Sequence, residues 1–378
     1  MIKTTNNLNF FSILFFIFCI TININSQEVK EEKSEDEKKL RKVIIPTVSY
    51  NNSFKTSVGV MAGLFYNLNS TDTISPESST MFIGRYSANK TWMTILPSKF
   101  YFKEDKYRSL LVAGLGSINF QTFVDYSTIF DNIGIPIPPI FQGEEGGQFI
   151  DYNTNVQFLY ADFLINVYDR LYAGINIIYA HNKTVFDVEG NPSETQNLFG
   201  FGLSTEYDKR DNQMQPIKGF NAKLTTNTFL ESLGSTANYS NINFQYNHFF
   251  QQGKRNTLLI RAFGQISVGD VPFSGQNVVG RDDLRGYSNG KYRADQVYDI
   301  QTEYRHWFAE KWGYVAFGGV ATAIDGPSDL SFDNLLPAVG AGIRFMAIPK
   351  SRITVGMDVA AGKDDWGLYF RIGEAFGR

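Results

Sequence analysis

The sequence has little of what a disulfide scaffold, a helical membrane protein or a nucleic-acid-binding protein needs. It contains one cysteine, Cys19, among 378 residues. Charged residues form only 19% of the chain, and the formal net charge of -3 gives no reason to expect a nucleic-acid partner. No segment reaches the roughly 20 apolar residues of a membrane-spanning helix. If the chain stays in a membrane, it must cross as a closed barrel, because only helices and closed barrels satisfy every backbone polar group in lipid.

Recognisable catalytic and cofactor chemistry is also missing. The three histidines fall on separate predicted strands, and no Ser-His-Asp arrangement, metal-ligand cluster or phosphate-cradling loop is present. Asp208, Arg210 and Asp211 resemble an acid–base group, but a salt-bridge network that stabilises a turn is the preferred interpretation. We therefore predict no catalytic residue, no metal and no cofactor, and we expect that the protein is not an enzyme.

The N-terminus predicts export from a Gram-negative cell. Lys3 precedes an apolar run at 10–20 that is long enough for a signal peptide and too short to span a bilayer. We predict a signal peptide over residues 1–26, with cleavage after Ser26, so the mature chain carries no thiol. The mixed-charge run 27–42 is predicted to be a solvated periplasmic tether, with a short helix as the alternative.

From residue 43 to 378 the pattern has a period of two. The chain contains 33 Phe, 20 Tyr and 33 Gly, and apolar residues alternate with small or polar ones, as they do over 353–361. The predicted links between strands alternate in length, with short links such as 168–170 and long links such as 123–148. The link 69–79 breaks this alternation. The pattern predicts an all-β fold, a transmembrane antiparallel β-barrel of about sixteen strands whose apolar face meets lipid.

Four motifs together resemble one family of barrels. The core Leu284-Arg285-Gly286-Tyr287, with Gly290 and Arg293 downstream, resembles the Arg-Gly-Phe/Tyr loop of the bacterial surface antigen family. This is the superfamily of BamA, TamA and the two-partner secretion transporters. Three further segments are similar to the family's turn, to the strand after its loop and to its closing strand: Asp208, Arg210, Asp211, Asn212, Pro216 and Gly219; Glu303; and Gly373 with Phe376. The motifs occur in the family's order over residues 43–378.

The resemblance implies that a long external loop folds into the lumen and places Arg285 against acidic residues. A buried arginine must be paired, and strand parity puts Asp299, Glu303 and Arg305 on one face. Glu303 is therefore the preferred partner of Arg285. We call the carboxylates that hold Arg285 the clamp. The next strand has Gly319 where the family usually carries an aspartate, so the clamp depends on Glu303 alone or also on Asp299 or Asp358. Whether the loop is a fixed plug or a moving gate stays open.

The resemblance also implies a function at the cell outer membrane. The first hypothesis is a barrel that aids the insertion or export of polypeptide or lipid through a weak seam between the first strand, 43–51, and the last, 366–376. Pro46 is expected to interrupt the first of these strands. The alternatives are a passive pore or structural barrel that has lost translocation, and an accessory subunit of a separately encoded periplasmic partner. Family members that insert proteins usually carry periplasmic POTRA domains, whereas only 27–42 precedes the barrel here.

The other expected partners are the lipids of the outer membrane and the assembly machinery that inserts barrels during biogenesis. An aromatic face of the terminal strand is the signature that this machinery reads, and Trp366, Leu368, Phe370, Ile372 and Phe376 are predicted to share that face.

Overall fold

The computed structural model describes residues 40–52, 54–125, 147–280, 284–288 and 291–376. The expected signal peptide, 1–26, and residues 27–39 of the expected tether lie outside the described residues. The first strand begins at Arg41, so the last two residues of the expected tether belong to the barrel.

Sixteen antiparallel strands close into a single barrel, as the alternation predicted. A two-stranded ribbon, β12 and β13, lies within the link between β11 and β14. No helix among the described residues is long and apolar enough to cross a membrane. The strands are β1 (Arg41–Asn51), β2 (Lys55–Tyr66), β3 (Ser78–Ser87), β4 (Trp92–Phe102), β5 (Tyr107–Asp125), β6 (Gly147–Tyr168), β7 (Leu171–Phe186), β8 (Ser193–Asp208), β9 (Gly219–Phe229), β10 (Tyr239–Gln252), β11 (Asn256–Gly269), β12 (Asn277–Val278), β13 (Arg293–Ala294), β14 (Gln296–Trp307), β15 (Trp312–Ile324), β16 (Leu336–Ile348), β17 (Ile353–Gly362) and β18 (Asp365–Ile372).

The two faces of the wall follow from the alternation of side chains. Leu203 and Ile300 point outward and are 65% and 63% exposed, as lipid-facing residues of a membrane barrel are in the absence of lipid. Their neighbours Ser204 and Gln301 point inward and are buried. Because a strand has a period of two, a shift of one residue in register would exchange these faces. The apolar and polar residues thus fix the register of each strand.

The links between strands lie at the two ends of the barrel, which we call its mouths. The near mouth is the end at which β1 begins and β18 ends, and the far mouth is the opposite end. The longest links, 126–146 and 270–295, are at the far mouth, while near-mouth links such as 169–170 and 253–255 are short. This is the arrangement of periplasmic turns and external loops in bacterial barrels.

Two near-mouth links are exceptions to this rule, 67–77 and 209–218. Asp72 organises the first of them, since its carboxylate accepts hydrogen bonds from the backbone N–H groups of Ser75 (2.9 Å) and Glu104 (2.9 Å). These bonds, the one from Ser75 above all, hold the pKa of Asp72 well below its usual range. The link at 67–77 is therefore a folded cover over the turn between β4 and β5.

The seam between β1 and β18 has much less backbone pairing than the other boundaries of β1 and β18. Only Tyr50 and Asn51 pair with β18, opposite Leu368 and Gly367. All eleven residues of β1 pair with β2, and β18 pairs through eight residues with β17. Pro46 lies opposite Val60 and does not interrupt β1, contrary to the sequence-based expectation. Pairing at the seam is confined to its far-mouth end.

At the near mouth the two sides of the seam overlap instead of pairing. Ile372 would point to lipid by the parity of β18, yet it is buried against the inward-facing Met61 and Phe65 of β2. Ile353 of β17 joins the same cluster. The outer face of the β17–β18 end therefore packs against the inner face of the first strands, so apolar side chains replace ladder hydrogen bonds there.

Candidate functional site

The loop between β11 and β14 lies inside the barrel along the inner wall of β14 to β16. Leu284 and Tyr287 are each 1% exposed and pack with Val297, Ala321 and neighbouring apolar residues. Gly319 makes room for this contact, because a Cβ atom there would lie 3.0 Å from Cδ1 of Leu284. The loop is thus held by apolar packing as well as by charge.

Gly286 and Tyr287 attach the loop to the last strands. Gly286 has a φ of 114°, a value that few side chains tolerate, and its N–H donates to the Tyr369 hydroxyl at 3.0 Å. The Tyr287 hydroxyl donates to the Pro337 carbonyl at 2.6 Å and accepts from the Lys363 N–H at 3.0 Å. Burial raises the pKa of Tyr287, so its hydroxyl keeps the proton that it donates.

Arg285 bridges two carboxylates on different strands. Its Nη2 donates to Oε2 of Glu303 at 2.5 Å, and its Nη1 donates to Oδ2 of Asp358 at 2.7 Å. The guanidinium also lies over the Phe317 ring, 3.4 Å from the centroid. A planar guanidinium suits this combination of two ion pairs and a stacked ring, which the ammonium of a lysine could not reproduce.

Of the three partners considered for Arg285, the structure brings two to it. Glu303 and Asp358 form ion pairs with the guanidinium. Asp299 does not contact it and instead accepts a hydrogen bond from Gln301 at 2.7 Å. Asp299 shares the inward face with Glu303 but lies four residues along β14, which is about 13 Å for an extended strand. The second carboxylate thus comes from β17, while Gly319 occupies the position of the missing aspartate.

A wider ionic network surrounds this clamp. Arg305 donates to Glu303 at 2.7 Å, and Arg344 donates to Asp358 at 2.5 Å and to Glu374 at 2.9 Å. All of these side chains are almost fully buried. Removing one member of such a network is strongly destabilising, because it leaves an uncompensated buried charge.

Sequence reasoning missed Arg344, Arg371 and Glu374 as members of this network. Arg371 pairs with Asp358 at 2.8 Å. The sequence did contain one signal for Arg344, because a glycine, Gly356, lies opposite it on the neighbouring strand. A Cβ atom at Gly356 would lie 2.7 Å from Nη1 of Arg344, so glycine is required where the guanidinium crosses the neighbouring strand.

A second cluster forms at the turn between β8 and β9. Asp208 is fully buried and accepts hydrogen bonds from Nε of Arg210 (2.7 Å) and from Nη1 of Arg108 (2.7 Å). Burial alone would lower the pKa of the Arg210 guanidinium, but the negative charge of Asp208 has the larger effect, so the pKa is raised. Gly219 closes the turn with a φ of 98°, and a Cβ atom there would collide with the Lys209 carbonyl oxygen at 2.0 Å.

The same turn reaches across the near mouth. The Asn212 side chain accepts from the backbone N–H of Gln215 at 2.8 Å, which bends the segment. Asp211 forms an ion pair at 2.6 Å with Arg352, which lies across the near mouth in the link between β16 and β17. The Pro216 carbonyl accepts a hydrogen bond from Arg305 at 3.4 Å. The motif residues predicted to form a salt-bridged turn thus also connect that turn to the clamp network.

The predicted closing strand ends four residues earlier than Phe376. β18 stops at Ile372, and Gly373 has a φ of 79°, which turns the chain into the lumen. Phe376 is 3% exposed and packs against Phe249 and Leu259 of the opposite wall. The prediction that Phe376 shares one face of the terminal strand with Trp366, Leu368, Phe370 and Ile372 is wrong, because the strand ends before Gly373, whose positive φ turns the chain into the lumen.

The tail formed by residues 373–376 also contacts the loop. Arg285 lies 5.1 Å from the centroid of the Phe376 ring, and Arg261 lies 5.3 Å from the same centroid. The described residues include no group of three or more His, Cys, Asp or Glu side chains that could hold a metal ion. The lumen site therefore joins a loop, a turn and a tail through arginines and carboxylates.

Comparison with known proteins gives a family and two similar structures. A family model described as the Omp85 superfamily domain matches residues 148–376. BamA from Haemophilus ducreyi lacking POTRA domains 1–3 is 11% identical, with a TM-score of 0.55, over 88% of this chain and 70% of that one. CdiB from Acinetobacter baumannii is 10% identical, with a TM-score of 0.57, over 90% of this chain and 60% of that one. These identities establish a shared fold alone. A search of curated proteins found no significant relative.

Proposed function

Because the chain belongs to the Omp85 superfamily and is an outer-membrane barrel of the insertase and translocase type, we propose that it inserts or exports polypeptide through the seam between β1 and β18. The near mouth would face the periplasm, after export through a cleaved signal peptide over residues 1–26. Residues 27–42 would lead from that signal to the barrel.

The weak pairing at the seam is the single observation that carries this proposal. Two registered pairs close β1 against β18, whereas β5 and β6 are joined by nineteen. The near-mouth part of β1 has backbone groups on that side that do not pair with β18. An extended polypeptide can add to such an edge by main-chain hydrogen bonds.

The clamp on Arg285 has a second role in this proposal. It holds the loop from inside against β14 and β17, and the tail connects the loop to the end of β18. Opening of the seam moves β18, so it would disturb the Asp358 and Tyr369 contacts of the loop. The loop then acts as a gate that is coupled to the seam.

A disulfide across the seam tests the proposal. Tyr50→Cys with Leu368→Cys joins two registered partners, and the described chain offers no competing thiol. We expect the oxidised protein to lose the ability to accelerate folding of an unfolded barrel substrate added to proteoliposomes, and we expect reductant to restore it. Ala113→Cys with Leu159→Cys, registered partners in the fully paired β5–β6 boundary, is the matched control. Full activity of the crosslinked seam variant contradicts the proposal.

The second candidate is a passive or structural barrel, which the extent of the clamp network favours. Six buried charged side chains and the partly exposed Arg371 fix the loop and the tail, and this would suit a permanent plug. Planar-bilayer conductance separates the two candidates. A passive barrel shows one steady conductance and no substrate folding, whereas a gate opens more often when Arg285→Ala releases the loop. An accessory subunit would instead be active only with a co-purifying periplasmic partner.

A further inference from the structure

The link between β8 and β9, residues 209–218, crosses the near mouth from the side opposite the seam. Eight strands separate the β8–β9 boundary from the seam in either direction around the barrel. The link nevertheless reaches the link between β16 and β17, where Asp211 pairs with Arg352 at 2.6 Å. Near-mouth turns such as 169–170 and 253–255 are too short to do this. We call residues 209–218 the strap.

The strap is fixed at its root by buried charge. Arg210 pairs with the fully buried Asp208 at 2.7 Å. Gln213 accepts a hydrogen bond from Arg210 at 2.6 Å and donates one to Asp208, so the middle of the strap is tied to the same ion pair. The side-chain oxygen of Asn212 accepts from the backbone N–H of Met214 at 2.9 Å, which bends the chain. These bonds set the direction in which Met214 projects.

Met214 reaches the place where the two sides of the seam overlap. We call the buried residues Met61, Phe65, Ile353 and Ile372 the overlap cluster; the first two belong to β2, and the others to β17 and β18. Met214 packs against this cluster. One side chain of the strap therefore contacts a joint that lies beyond the two registered pairs of β1 and β18.

Two kinds of contact attach the strap, and they differ in strength. The ion pair between Asp211 and Arg352 is partly exposed to solvent, and exposed pairs contribute little to stability. The Met214 contact is apolar and adjoins buried residues from both sides of the seam, where a flexible thioether fills irregular gaps. Met214 therefore supplies most of the attachment, and the ion pair orients the strap.

We propose that the strap is a latch on the seam and that Met214 is the positioning residue through which it acts. While Met214 is in place, the overlap cluster stays packed from the near mouth. When Met214 leaves, the side-chain contacts at that end weaken, although the two backbone pairs at the far mouth remain. Opening then begins at the near mouth, the end that receives polypeptide in the proposed function, on which this inference rests.

Thiol labelling of the full-length barrel in detergent, without substrate, measures how often the overlap cluster opens. Ile372→Cys places the reporter in the cluster, where Ile372 is 3% exposed, and the described chain offers no competing thiol. A buried thiol reacts with a maleimide only while it is exposed. We expect Met214→Ser to accelerate this labelling by about fivefold, because part of the burial of a methionine is lost.

Three controls separate release of the strap from a general loss of stability. Leu198→Cys is a buried reporter in a cluster without strap or seam residues, and it should label at an unchanged rate. Met214→Leu keeps an apolar side chain of similar volume and should restore slow labelling. Ile217→Ser alters a strap residue that is not among the described residues packed against the overlap cluster, so it should leave labelling of Ile372→Cys unchanged.

A second variant decides the test if Met214→Ser does not fold, which heat-modifiable migration on a gel reveals. Arg352→Gln removes the ion pair but keeps the backbone hydrogen bonds that Asp211 accepts within the strap. It should accelerate labelling of Ile372→Cys by about twofold. Arg255→Gln, in a near-mouth turn between β10 and β11, is its matched control.

Equal labelling of Ile372→Cys in Met214→Ser and Ile217→Ser overturns the proposal, and so does equal labelling in the two arginine variants where Met214→Ser is unfolded. Because no substrate is present, the latch and the proposed function fail separately. A barrel that labels faster with Met214→Ser but folds no substrate keeps the latch and loses the function. A barrel that folds substrate but labels equally in both strap variants keeps the function and loses the latch.

Discussion

The two edges of β18 differ sharply in the number of backbone pairs that they form. Its β17 edge has eight registered pairs, and its β1 edge has two. The near-mouth end is held by side chains, through the apolar overlap at Ile372 and through the tail, whose Glu374 reaches Arg344. Backbone hydrogen bonds thus close the barrel at the far mouth, whereas side-chain contacts close it at the near mouth. Side-chain contacts can separate without breaking a ladder, which is what a seam that opens requires.

Hydrogen exchange should show the largest difference between the two regions. Some backbone amides of β1 residues 42–49 point toward β18 and not toward β2. We expect these amides to exchange at least about a hundredfold faster than amides in the middle of β5, because the seam can open there without loss of ladder pairing. Mass spectrometry of the detergent-solubilised protein measures both segments in one sample. Equal protection of the two segments would show that the seam is as firmly closed as the β5–β6 boundary.

Removal of Glu374 should release the tail from the network. Glu374→Ala leaves Arg344 without one of its two carboxylates at a fully buried position, and we expect a loss of about 3 kcal/mol in the free energy of unfolding. Glu374→Gln keeps the acceptor for Thr354 and should lose less. Urea unfolding followed by heat-modifiable migration measures both variants. If the two substitutions are equally mild, the tail does not hold the near mouth.

Substitution of Gly373 should destabilise the protein less than removal of Glu374, because the effect comes from backbone conformation alone. A Cβ atom there meets nothing within 4 Å, so Gly373→Ala is limited by the φ of 79° and not by collision. We expect a cost of about 1 kcal/mol. Gly367→Ala is not a suitable control, since the Tyr369 hydroxyl would lie 2.5 Å away. Replacement of the exposed Gly253, which also has a positive φ and open space, should cost a similar amount but leave the seam unchanged in exchange experiments.

Acidification should loosen the near mouth without acting on the seam. The pKa of Asp72 is lowered in the folded state, so its contribution to stability is present above the unfolded pKa of about 3.9 and is lost as the pH falls below that value. Acid protease cleavage within 67–77 should therefore increase at low pH. Asp72→Asn should cleave readily at every pH that the protease tolerates. A pH-independent cleavage rate in the wild type contradicts this assignment.

Prediction from the sequence succeeded where local pattern and structure have the same period. The strand count, the inward face of β14 and the pairing of Arg285 with Glu303 follow from alternation and from the cost of a buried, unpaired guanidinium. It was less specific where contacts join segments that are distant in sequence. Asp358, which reaches Arg285 from 73 residues away, was named only as an alternative beside Asp299, because no periodicity shows which of several inward carboxylates is near enough. Gly373 was assigned to a strand because nothing in the alternation marks a left-handed turn.

By itself the sequence determined that this chain forms an all-β barrel with a polar interior, because the period of two separates lipid-facing from lumen-facing residues and leaves no other way to cross a membrane. The tertiary structure alone decided how the ends meet: the two-pair seam, the overlap at Ile372 and the inward tail. These features depend on barrel closure, which brings residues 41–51 against 365–372 and gives each lumen side chain neighbours from across the barrel.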